Sequence, residues 1–297
     1  MQSDVIIVGG GPAGLSAAIV LARAARRVRV FHAGPRRNER SGSMHNYLGM
    51  EGVSPQAFSE KAWEEVRDAG TLLHSERITD IVPTPEGFLA TDTKGSTWFA
   101  RFVLLATGLV DVLPAVEGVE ACYGTSVFHC PYCDGAPWTD RALGAIGPGA
   151  SATGLAITLR GWSRNVTAFT MGSSVPRIHR PLLKRLGIIV VEQEVVSLEA
   201  LNGFVAAVRT LGDKHDIDAL FFNTGTRQAS PIPARLGCAF ATSGAIKVDA
   251  QQRTSVPGVY AAGDAALYTH LVSVAAAEGA KAAIAMNKAL MVSGIVR

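Results

Sequence analysis

One pattern occurs twice in this chain and narrows its fold more than any other feature: a short apolar strand, a glycine-rich turn, and a helix rich in small apolar residues. In the first copy Asp4 to Val8 is a β-branched run and Gly9-x-Gly11-x-x-Gly14 is the turn; Leu15 to Ala25 reads as helix and Arg27 to Phe31 as a second strand. In the second copy Leu143 to Ile146 leads into Gly147-x-Gly149-x-x-Ala152, a helix over Thr153 to Trp162 and a strand over Val166 to Phe169. Short apolar runs without alternation mark strands buried on both faces, as in parallel sheets. Each copy is therefore a βαβ unit. Each is followed by alternating stretches that predict an antiparallel meander, the first over Glu76 to Gly108 and the second over Ile188 to Phe222. The first ends in Val103-Leu-Leu-Ala106-Thr107-Gly108, the second in Asn223-Thr-Gly225. Gly258-Val-Tyr-Ala-Ala-Gly-Asp264 then precedes an Ala-rich helix from Leu271 to Met291, which completes the first copy.

The glycine turns carry a nucleotide signal. Gly9 permits the tight turn, Gly11 lets the backbone approach a pyrophosphate, and Gly14 lets the helix pack on the sheet. With Pro12 and Ala13 between them, these glycines open a helix whose free N–H groups and dipole favour phosphate. The acidic residue that would read an NAD ribose at the end of the second strand is absent; His32 stands there. FAD is thus the expected occupant, with the segment ending in Asp264 as a second nucleotide contact. In the second fingerprint Ala152 is an accepted variant of the third glycine. No Arg stands at Thr170-Met171-Gly172 for an NADP 2′-phosphate. Arg177, His179 and Arg180 follow, either to reach in or to form a surface loop, so NAD(P)H use stays open. The fold class expected is α/β: two Rossmann-like dinucleotide-binding domains of the three-layer ββα type, the second inserted in the first.

Between the fingerprints lies Cys130-Pro131-Tyr132-Cys133-Asp134-Gly135. A CxxC on a turn entering a helix brings two sulfurs within bonding distance, and the helix N-terminus favours the thiolate. His129 precedes the pair and adds to this when charged; Asp134 follows it and can move a proton during thiol exchange. A zinc site needs further ligands at such spacing, and none is visible, so no metal is expected. A structural disulfide would not need this position between nucleotide sites. Redox chemistry is the expected use. Cys122 and Cys238 read as ordinary core residues. Trp63, Trp98, Trp138 and Trp162 read as packing residues, with a substrate-facing role open for Trp138.

Composition excludes several classes. The 297 residues suffice for two domains, and 48% hydrophobic content with 18% charged residues supports a sizeable core. A net charge of +3 is small for this length, and the cluster Arg36, Arg37 and Arg40 reads as a solvated loop, which argues against nucleic acid. Four cysteines are too few for a stapled secreted scaffold, and a cytoplasmic location is expected. Val5 to Ala22 is uncharged, but four glycines and Pro12 break it, so no membrane span is expected.

Taken together, Val5-Ile-Ile-Val-Gly-Gly-Gly-Pro-Ala-Gly14, Ala106-Thr107-Gly108, Cys130 to Gly135, Gly147 to Ala152 and Gly258 to Asp264 make the chain resemble the low-molecular-weight thioredoxin reductases over nearly its whole length. This resemblance implies a split FAD-binding domain, residues 1–113 and 247–297, and an NAD(P)-binding-like domain, residues 114–246, carrying the cysteines. It also implies a homodimer acting on a thiol/disulfide substrate, either a thioredoxin-like protein or a small dithiol. By the same resemblance Cys133 faces the flavin, Cys130 exchanges with substrate, and Asp134 is the acid/base. Asp264 and the start of the following helix, including Val272, lie along the flavin. The family's His-Arg-Arg motif is missing at Thr170-Met171-Gly172. The segment from Arg37-Asn38 through His45-Asn46-Tyr47-Leu48-Gly49 resembles instead the dithiol oxidases of epidithio-natural-product pathways, which pass electrons through FAD to oxygen. Arg37, Asn38 and His45 are the flavin contacts this implies. Oxygen, ferredoxin and NAD(P)H stay open as electron partners.

Overall fold

In the computed structural model, which describes residues 2–266 and 269–292, the first βαβ pattern forms at the expected place. β1 (Gln2–Val8) is buried beyond its first residue and runs parallel to β2 (Val28–Phe31), with α1 (Pro12–Arg23) between them. After α2 (Pro55–Asp68), β3 (Leu72–His74) extends the sheet beside β2. β4 (Ile78–Thr84), β5 (Gly87–Asp92) and β6 (Thr97–Leu105) make the first meander. It does not stand apart from the parallel sheet, because β6 also pairs parallel with β1 from Phe99 to Leu105.

The chain continues through β7 (Leu109–Asp111), α3 (Val119–Cys122), β8 (Val127–Phe128) and α4 (Pro131–Asp134). β9 (Leu143–Ile146), α5 (Ala150–Leu159), β10 (Val166–Phe169), α6 (Arg180–Leu186) and β11 (Ile189–Val191) repeat the βαβ order. An antiparallel ladder of β12 (Val195–Leu201), β13 (Phe204–Thr210) and β14 (Lys214–Asp216) follows, and β15 (Ala219–Phe222) returns to a parallel sheet of order β11-β10-β9-β15-β8. The second meander is thus shorter than Ile188 to Phe222. All four residues of β15 are buried, which suits a central parallel strand and not a half-solvated ladder. β16 (Thr226–Gln228) pairs with β7; α7 (Ile232–Arg235) follows, β17 (Val259–Ala261) pairs with the end of β6, and α8 (Val272–Val292) packs on α1.

Contacts divide the chain into two units. Of the described residues, one unit holds those up to Glu39, Asn46–Val110 and those from Arg227 onward; the other holds Arg40–His45 and Asp111–Thr226. Residues 227–246, expected in the second domain, belong with the first, because Ile232, Cys238 and Ile246 are buried with Ile78, Ile81 and Phe88. Arg40–His45 moves the other way, since the Arg40 carbonyl packs on Gly124 and its guanidinium lies 5.6 Å from the Tyr123 ring. Within the first unit Val5 and Ile7 face the α1/α8 layer while Ile6 and Val8 face the meander layer, the period-two alternation of a strand between two layers. The fold is the expected α/β class with two Rossmann-like units. The uncharged run from Val5 to Ala22 is shared between β1, its turn and α1, and among the described residues no helix is long and apolar enough to cross a membrane.

Candidate active site

The first fingerprint forms an open cradle. Gly9 (φ +117°) lies so near the Ala106 carbonyl that a side chain would collide with it, which seats Ala106-Thr107-Gly108 against the turn. Gly14 is equally tight on the Gly9 carbonyl. Gly11 differs: a Cβ there would meet nothing within 4 Å. Gly11 caps α1 with no side chain on the free N–H groups, and Pro12 takes the first helical position. Open space over bare helical N–H groups fits a dinucleotide pyrophosphate. Nearby, Arg37 Nη1 donates to Asp264 Oδ2 at 2.8 Å, with side chains only 13% and 23% exposed. Asn38 is half-buried beside Arg37, and Val272 opens α8. At the end of β2, His32 packs edge-on against Trp63 at 5.0 Å; burial, then Arg36, keeps its pKa low, so the imidazole is neutral near pH 7.

The cysteines form a disulfide with Cα atoms 5.3 Å apart. They sit where β8 runs into α4, with Cys130 as the N-cap, and the Cys133 N–H donates to Cys130 Sγ at 3.1 Å. α4 has only four residues, and the Cys133 N–H is the helical donor directed at the first cysteine. Gly135 closes the turn against the Pro131 carbonyl and Trp162, leaving no room for a side chain. Tyr132, between the cysteines, is 68% exposed and meets Trp162 edge-on at 5.3 Å. Trp138 packs on Phe128 and Phe204. Burial pushes the Asp134 carboxyl up to about 6, and the charge of His45 pulls it partly back. His45, whose Nε2 lies 2.9 Å from Ser43 Oγ, thus belongs to the cysteine-bearing unit and not to the unit that holds Arg37 and Asn38. His129 Nδ1 lies 3.9 Å from the Asp111 carboxylate, which also accepts the Tyr123 hydroxyl at 3.0 Å.

The second fingerprint repeats the chain path of the first but not its opening. Gly147 abuts the Asn223 carbonyl as Gly9 abuts that of Ala106, and Ala152 is fully buried. A Cβ on Gly149, the counterpart of Gly11, would lie 2.9 Å from the Ser174 carbonyl oxygen. The segment after β10 therefore folds over the turn. It is held there by Thr153 Oγ1, 2.7 Å from His179 Nδ1, and by Glu192, which accepts from the Val175 N–H at 2.9 Å and from Arg180 at 3.0 Å. Glu194 stands against Gly172, a Cβ on which would be 2.6 Å from its Oε1. Sequence reasoning missed Ser174, Glu192 and Glu194; the acidic pair straight after β11, facing the place of an expected base, was the only local sign.

Residues 3–279 match the pyridine nucleotide-disulphide oxidoreductase family. The chain belongs to this family. The oxidoreductase is 31% identical to a probable thioredoxin reductase of Arthroderma benhamiae, over 88% of this chain and 74% of that one. It is 28% identical to thioredoxin reductase sirT of Leptosphaeria maculans, over 96% and 93%. Among solved structures, HlmI superposes with a TM-score of 0.93 at 32% identity, covering 99% of this chain and 94% of that one. The oxidoreductase is accordingly an FAD-dependent enzyme of thiol/disulfide exchange.

Proposed function

We propose that this oxidoreductase oxidises a small dithiol to its disulfide and takes no electrons from a nicotinamide. The contrast between the two glycine turns carries this reading. Gly11 faces open space, whereas Gly149 faces the Ser174 carbonyl and acidic side chains stand where a 2′-phosphate would need bases. Gly9, Gly11, Pro12, Ala13 and Gly14 hold the pyrophosphate of FAD, and Arg37, Asn38, Ala106, Thr107, Gly108, Asp264 and Val272 line the rest of its site. Gly147, Gly149 and Ala152 hold no second dinucleotide.

A substrate thiol attacks Cys130, the S–S bond breaks, and Cys133 leaves as thiolate. The second substrate thiol attacks the substrate sulfur of the mixed disulfide and releases Cys130, whose thiolate the Cys133 N–H stabilises. Asp134 accepts the proton of the attacking thiol. FAD held in the first cradle would supply the two-electron sink for the reduced cysteines, with dioxygen as the final acceptor, reduced to peroxide. The relatives' names favour a second reading, reduction of a thioredoxin-like protein with NAD(P)H or another donor. Anaerobic titration separates the two. Bleaching of the flavin by dithiothreitol alone, with peroxide released on admitting air, is expected; bleaching by stoichiometric NADPH or NADH overturns the proposal. The Cys133→Ser variant should lose dithiol-driven bleaching. A homodimer is proposed too, and sedimentation of the holoenzyme tests it.

A further inference from the structure

Beneath the cradle a carboxylate lies buried where an apolar side chain would pack. Glu278, in the second turn of α8, is 6% exposed. Its Oε2 accepts the Gly263 backbone N–H at 2.9 Å, and its Oε1 accepts Gln252 Nε2 at 3.3 Å. Gln252 is 2% exposed with φ +64°, and its own carbonyl accepts the Ala261 N–H at the end of β17. Burial raises the Glu278 carboxyl, an effect that the Gly263 and Gln252 donors and Lys281 oppose and Asp264 reinforces. A buried carboxylate is costly unless hydrogen-bonded, so its partners indicate what it is there to hold.

Three parts of the cradle meet at this point. Gly279 sits against the Ala13 carbonyl too closely for any side chain, so α8 touches the first turn of α1. Gly263 (φ +73°) would place a Cβ 2.9 Å from the Ala13 Cβ. The next residue is Asp264, whose carboxylate reaches Arg37. We infer that Glu278 is a positioning residue for the FAD site: by holding the Gly263 N–H it fixes the turn that aims Asp264 and keeps that turn in register with the phosphate-binding end of α1. The inference rests on the FAD reading above and assigns a role to a residue that need not touch the cofactor.

The test compares Glu278→Gln, which keeps an oxygen for the Gly263 N–H, with Glu278→Met, which fills the space without an acceptor. FAD release from diluted holoenzyme is followed by recovery of free-flavin fluorescence, and the visible circular dichroism of bound flavin reports its surroundings. Glu278→Met should bind FAD about tenfold more weakly, with an altered dichroic spectrum, the size expected for losing a buried hydrogen bond to a charged acceptor. Glu278→Gln should stay within about threefold of the parent, because the backbone donor keeps a partner. Equal FAD affinity in the two variants overturns the inference, even where both melt earlier than the parent. If Glu278→Met does not fold, a parent-like spectrum and affinity in Glu278→Gln supports the inference, and a tenfold loss there overturns it. Failure of the parent protein to bind FAD at all would instead defeat the underlying reading.

Discussion

Asp134 is the residue whose protonation should be visible in the rate. Its carboxyl is pushed up to about 6 by burial, with His45 opposing. As the base for an attacking thiol it works only when ionised, so the rate of dithiol-driven flavin bleaching should rise with pH through about 6. Asp134→Asn should lose that limb and slow the step by about 10²-fold, leaving only the limb set by the thiol's own ionisation, at about pH 8 to 9. Stopped-flow bleaching against pH measures this; an unchanged limb in the variant would remove Asp134 from proton transfer. The place of Asp134 beside the cysteines was legible, because it adjoins the CxxC in the chain. The company of His45 was not legible. Its segment joins the cysteine-bearing unit through Arg40, Gly124 and Tyr123, contacts that no local pattern announces. Glu278 was equally silent, an acidic residue in an Ala-rich helix whose meaning lies in a backbone N–H fifteen positions away.

Among elements, the two glycine turns give opposite expectations for the same substitution. Gly11 has φ −83° and open space beyond it, so Gly11→Ala should leave the fold intact while its methyl occupies the phosphate position; FAD binding should weaken by at least about tenfold with little change in melting. Gly149 has φ +38° and the Ser174 carbonyl in its path, so Gly149→Ala should cost about 1–3 kcal/mol of stability and leave FAD affinity unchanged. Flavin fluorescence and thermal melting of both variants check the pair; a loss of FAD in Gly149→Ala would show that the second turn serves a nucleotide site after all. The elements themselves were legible wherever period and punctuation agree, as at β1, α1, β9 and α5. Ladder membership was less so. The apolar run Ala219–Phe222 reads alike as the last strand of a meander or as a central parallel strand, and only burial on both faces decides.

For the whole molecule, the duplicated α/β architecture was readable from order alone, but acid stability is a sum over groups whose signs differ. His74 stacks on Phe31 at 4.5 Å, and its Nε2 lies 3.1 Å from Arg29 Nη1. Burial and then Arg29 lower its pKa, with Glu76 and Asp92 only partly opposing. The folded state therefore refuses a proton that the unfolded chain accepts below about 6.5, and stability from this group is present above that pH and lost as pH falls toward the folded pKa. His32 acts with the same sign through burial and Arg36. Asp134 and Glu278, raised by burial, act with the opposite sign, since the folded state takes up their protons first. The raw melting curve against pH thus mixes gains and losses, and a difference isolates one of them. The Gln amide of His74→Gln still faces Arg29 but does not titrate. The melting temperature of the parent minus that of His74→Gln, both as FAD-loaded protein, should shrink steadily from about pH 7.5 to about pH 5. A difference that stays constant or grows over that range would mean that His74 is protonated in the fold, and that Glu76 and Asp92 outweigh Arg29 and burial.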